Sequence, residues 1–81
     1  DEGANAVTRT ARHQSLEVVI QQRIDSRLNG RVRNLQVRAA GDVVILEGQC
    51  TTYYTKQLAQ HAAMGVLEDE QLENAIVVSV S

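Results

Sequence analysis

Few side chains in this 81-residue sequence could perform covalent or metal chemistry, and their spacing keeps them apart. His13 and His61 are the two histidines, and Cys50 is the one thiol. Cys50 falls at the end of a predicted strand, and His61 falls on a predicted helix, beside its apolar stripe. His13 lies at the edge of another helix, so no nucleophile–base pair is built into the pattern. Neither an H-x-x-H nor a C-x-x-C spacing occurs, which leaves a tetrahedral metal site short of ligands. The acids Glu68, Asp69 and Glu70 lack the spacing and the internal glycine of a calcium loop. They are expected to form a solvated turn. Cys50 is expected to be a small buried hydrophobe without an intrachain disulfide partner, and His61 a solvated helix residue. The expectation is a non-enzymatic chain with no metal, no cofactor and no small-molecule substrate.

The arginines are the other chemistry-bearing group. Residues 1–40 hold seven Arg against Asp1, Glu2, Glu17 and Asp25, a net of +3. Residues 41–81 hold Lys56 against Asp42, Glu47, Glu68, Asp69, Glu70 and Glu73, a net of −5. Two readings remain open: a basic surface for phosphate groups, or two halves that neutralise each other in the fold. On the first reading Arg23, Arg27, Arg31 and Arg33 face an anionic lipid surface, where each contributes about 1 kcal/mol, screened by salt. The chain has no Trp or Phe to insert at a membrane interface, so such attachment is expected to be electrostatic. Nucleic acid is not expected. Tyr53 and Tyr54 are the only residues able to stack on bases, no Gly-x-x-Gly clamp is present, and the chain is acidic overall.

The elements that must position these groups follow from periodicity. Hydrophobic residues make up 43% and charged residues 22%, which is globular rather than disordered composition. The length allows a single domain with a thin core, and no apolar run is long enough to span a membrane. The chain opens Asp1-Glu2-Gly3-Ala4-Asn5, without Met or an apolar signal core, and reads as a processed or trimmed product. Residues 1–11 are expected to be a flexible arm, and residues 12–81 the folded domain. Leu16, Ile20, Ile24 and Leu28 recur every four residues and predict a helix from about Gln14, capped by Ser15 and ended by Asn29-Gly30. Leu35, Val37 and Ala39 alternate with Gln36, Arg38 and Ala40, the period of a half-buried strand. Gly41-Asp42 turns the chain into a second strand, Val43 to Cys50, in which Gly48 signals a bulge or a close backbone approach. Tyr54, Leu58, Ala62 and Val66, with Ala59 and Ala63 beside them, predict a second helix over about 52–67. Its small residues suit close packing on a sheet. Asn74 to Val80 predicts a third strand.

The order helix, strand, strand, helix, strand resembles the BON domain, a small bacterial module, over about Leu16 to Val80. Val44, Leu46 and Gly48 match its Val-x-Leu-x-Gly hairpin. Ala59 and Ala63 match its small-residue helix face. Leu72, Asn74, Ile76 and Val78 match its Val-x-Asn-x-Ile-x-Val entry to the last strand. The turn differs, with Gly41-Asp42 where the family has Asn-Gly, and Glu68-Asp69 replace a Gly-Val pair. The resemblance implies an α+β, two-layer αββαβ fold, with two helices packed on one face of a three-stranded mixed sheet. It also implies a non-catalytic role at the cell envelope or periplasm, attaching to phospholipid or to an envelope protein.

Alternation supplies a second candidate surface. If Val44, Leu46, Ile76 and Val78 face the helices, then Val43, Ile45 and Val77 lie on the open sheet face, ringed by Gln36, Arg38, Glu47 and Ser79. Such a face is expected to support a weak homodimer or a docked partner protein without lipid.

Overall fold

A computed structural model describes residues 2–79, with side chains described from His13 onward. The elements run α1 (Glu2–Leu28), β1 (Arg33–Ala40), β2 (Val43–Cys50), α2 (Tyr53–Met64) and β3 (Gln71–Val78). The fold is α+β in αββαβ order, with two helices packed against a three-stranded mixed sheet. The sheet order is β1-β2-β3. β1 and β2 pair antiparallel, and β2 and β3 pair parallel from Val43↔Gln71 to Cys50↔Val78. A parallel partner cannot be reached through a tight turn, and α2 supplies the crossover.

Leu16, Ile20, Ile24 and Leu28 are buried along one stripe of α1, as their four-residue spacing requires. They meet Val37, Val44, Leu46 and Ile76 from the helix-facing side of the sheet. Ala59, Ala62 and Ala63 are fully covered on α2. Their lack of bulk lets that helix lie close to its neighbours. Leu58, Val66, Leu72 and Val78 sit at the margin of the core as partly buried residues.

Several boundaries differ from the sequence expectation, among them the end of α2, at Met64 rather than about residue 67. α1 continues through Ser15, which is exposed on the helix surface and does not cap it. β1 begins two residues early, at Arg33, and β3 begins three residues early, at Gln71. Residues 2–11, where a flexible arm is expected, belong to the first turns of α1, and Val80 lies outside the described residues. At the hairpin, Gly41 has φ 58° and Asp42 does not share the positive φ. That combination suits a two-residue turn with glycine at its first central position.

Gly48 is constrained from two directions. Its φ is 156°, and a Cβ there would meet Val32 Cγ1 at 2.9 Å and the Arg33 carbonyl oxygen at 3.0 Å. The start of β1 crosses directly above it. The ladder shifts register between Arg33 and Gln36, and Asn34 takes φ 55°. Val32 is buried by this crossing although it lies in no regular element. Gly48→Ala is therefore expected to destabilise the fold by roughly 2–4 kcal/mol, combining backbone strain with overpacking. Gly41→Ala, with nothing within 4 Å of its Cβ position, is expected to cost only about 1–2 kcal/mol of strain. Urea denaturation of the two variants checks the difference. Equal costs would remove the close approach from the account.

Both outer edges of the sheet carry a side-chain acceptor on an outward amide. On β1, Ala39 N–H donates to Glu17 Oε2 of α1 at 3.0 Å. On β3, Ile76 N–H donates to Asn74 Oδ1 at 3.2 Å. The Asn74 amide nitrogen also donates to the Lys56 carbonyl of α2 at 3.0 Å, tying the crossover helix to its strand. His13 Nε2 lies 3.0 Å from the Gly41 carbonyl and holds α1 to the hairpin turn. Asn74→Ala is expected to cost about 1–2 kcal/mol. Asn74→Asp should cost more, because it sets a carboxylate against the Lys56 carbonyl while keeping the Ile76 contact. Reversal of that order in denaturant midpoints would show that the amide donor is not what holds α2.

Candidate functional site

The topology gathers five element ends at one tip of the molecule. They are the C-terminus of α1, the start of β1, the end of β2, the N-terminus of α2 and the end of β3. Arg31 precedes β1 and Arg33 opens it, with buried Val32 between them. Alternation about Val32 turns both arginines outward, and both are exposed. They line two adjoining depressions. One, of ≈180 Å³, is completed by Gln49, Cys50, Thr51 and Ser79. The other, of ≈470 Å³, adds Gly30, Thr51, Thr52, Tyr54 and Thr55. Among the described residues, no carboxylate lines either one.

The α2 side of the tip is fixed by its cap. Thr52 has extended backbone, and its Oγ1 accepts from Thr55 N–H at 3.1 Å. The two threonine hydroxyls lie 2.8 Å apart, and Thr55 is buried. No acid occupies the first turn of α2, so the positive end of the helix dipole faces the same space as the arginines.

Of the four arginines singled out from sequence, the structure brings Arg31 and Arg33 into one cleft. Arg27 lies exposed in the last turn of α1, next to the tip, where a cation suits the helix dipole. Arg23 is half-buried and packs away from them, its guanidinium against Gly65 at the far end of α2. Among the described residues, no carboxylate pairs with Arg27, Arg31 or Arg33. An ion pair, Arg38–Glu47 at 2.9 Å, lies on the open sheet face.

Asp42 and the acids at 68–70 lie at the opposite end, while Asp25 lies in the last turn of α1 and Glu47 and Glu73 lie along the strands. The Gln71 amide donates to the Asp42 carbonyl at 2.7 Å, which sets the hairpin turn beside the loop of Glu68, Asp69 and Glu70. Arg31 and Arg33 are thus set apart from the acids at 42 and 68–70, whereas Arg38 of the basic half pairs with Glu47 of the acidic half.

The second candidate surface is divided. Val43 and Ile45 are half-buried on the open face, as alternation requires. Val77 is exposed but pairs with Gln49, two rows along from the Ile45–Glu73 row. Glu47 and Ala75 lie between, and the Arg38–Glu47 pair crosses the face. The three β-branched residues therefore share a face without forming a continuous cluster.

Cys50 is buried, and its Sγ donates to the Thr52 carbonyl at 3.2 Å. His13 sits at the hairpin end and His61 near the end of α2, so the three groups occupy different parts of the molecule. Among the described residues, no cluster of three or more His, Cys, Asp or Glu could hold a metal, and no helix is long and apolar enough to cross a membrane.

The tip escaped a purely sequence-based reading because Thr51, Thr52, Tyr54 and Ser79 are separated from the arginines by a strand or more. The only signal was the absence of acids between Ser26 and Gly41. No family model matches the chain, and no curated protein matches it.

Proposed function

We propose that the chain is a non-catalytic module, similar to a BON domain, that attaches to an anionic phospholipid surface of the cell envelope through its arginine tip. The observation that carries this reading is charge separation. Among the described residues, Arg27, Arg31 and Arg33 stand without carboxylate partners at one end, with Asp25 on the neighbouring turn of α1, and Asp42 and Glu68–Glu70 stand at the other. A molecule so polarised turns its basic end toward a negative surface and its acidic end away. The motif residues Val44, Leu46, Gly48, Asn74, Ile76 and Val78 support the family reading, since each has a packing or hydrogen-bonding role that the αββαβ fold requires.

Co-sedimentation with phosphatidylglycerol vesicles tests the proposal. Binding is expected at low ionic strength, with loss on adding salt and none to phosphatidylcholine alone. The Arg31→Gln/Arg33→Gln variant is expected to bind roughly thirtyfold more weakly, about 1 kcal/mol for each charge. Arg23→Gln should bind like the parent, because Arg23 does not reach the tip. No binding of the parent protein at low salt would overturn the lipid reading.

A further inference from the structure

We infer that Tyr53 and Tyr54 are interfacial anchors that insert between lipid headgroups and stand the domain upright on the bilayer. This rests on the lipid reading above and adds a second, non-electrostatic contact that composition alone argued against. The chain contains two aromatic residues in all, and they are adjacent. Both lie in the first turn of α2, and they are 62% and 65% exposed. Side chains in a helix lean toward its N-terminus, so both rings tilt out toward the tip. Tyr54 shares a wall with Arg31 and Arg33.

A tyrosine ring offers an apolar body and a polar hydroxyl, the combination that settles at headgroup depth. The surrounding groups favour the same depth. Arg31 and Arg33 are placed to meet phosphates beside the rings. The N-terminus of α2 points in that direction with the positive end of its dipole. The Thr52–Thr55 bonds hold the turn rigid, so presenting the two rings requires little ordering on binding. Docked in this way, the strands run away from the bilayer, and the acids at 42 and 68–70 lie at the distal end.

The two tyrosines are also the only strong intrinsic fluorophores of the chain, because Trp is absent. Tyrosine emission from the intact protein, measured on phosphatidylglycerol vesicles with doxyl-labelled lipid, therefore reports the tip alone. Quenching is expected to be stronger with the label near the headgroups than with the label deep in the acyl chains. In parallel, the Tyr53→Ser/Tyr54→Ser variant is expected to bind these vesicles at least fivefold more weakly at physiological salt. Its circular dichroism should be unchanged, since neither ring belongs to the core. Binding of the parent without quenching would overturn the anchoring and leave the lipid reading standing, as would a tyrosine-free variant that is folded and binds equally well. If the serine variant does not fold, the quenching profile of the parent decides alone. Failure of the parent to bind any anionic vesicle would overturn both.

Discussion

The passage of the β1 entry over Gly48 is the constraint on which both the core and the tip depend. Residues 31–35 must close the space between the end of α1 and the sheet, and they do so by pressing Val32 onto a strand position that has no side chain. With Val32 committed inward, strand geometry turns its two neighbours outward. Those neighbours are Arg31 and Arg33. The same packing decision that seals one end of the core therefore holds two cations side by side in solvent. Asn34 at positive φ and the local shift in register absorb the geometric mismatch.

The other half of the domain is organised by α2. Its alanines allow close packing, but apolar contacts alone would leave a short helix free to slide along the sheet. Asn74 removes that freedom by donating to one specific carbonyl, that of Lys56, while its oxygen takes up an amide of its own strand. The register of α2 over β3 places Thr52, and with it the first turn, at the level of Arg31 and Arg33. The site is thus assembled from two loops held in place by separate devices, Gly48 beneath one and Asn74 behind the other.

Periodicity made the elements legible, because four-residue spacing and strict alternation each survive in a two-layer fold. Leu16 to Leu28, Val44 and Leu46, and the alanine face of α2 fell where their spacing placed them. Boundaries were less legible. Ser15 has the chemistry of a cap, but nothing local marks whether the helix has already begun. Val32 belongs to no periodic run and is buried by a long-range crossing. Arg23 could not be separated from Arg27, Arg31 and Arg33 by sequence, since the separation comes from packing against Gly65, 42 positions away. Alternation placed Val43, Ile45 and Val77 on one face, but only the β2–β3 register tells that Val77 lies too far along to join the other two. Strand pairing of this kind carries no local signal.

Glu17 and Asn74 acquire a further meaning when many copies share a surface. Copies held upright at a bilayer would have their strands aligned with one another and their edges side by side, diffusing in two dimensions at high density. That arrangement lowers the entropic barrier to edge-to-edge zippering, which a three-stranded sheet with two open sides would otherwise invite. An acceptor already seated on an outward amide at each side leaves a neighbouring strand with a gap in its ladder. On the proposed lipid reading, edges so guarded would let the module be crowded laterally as separate molecules.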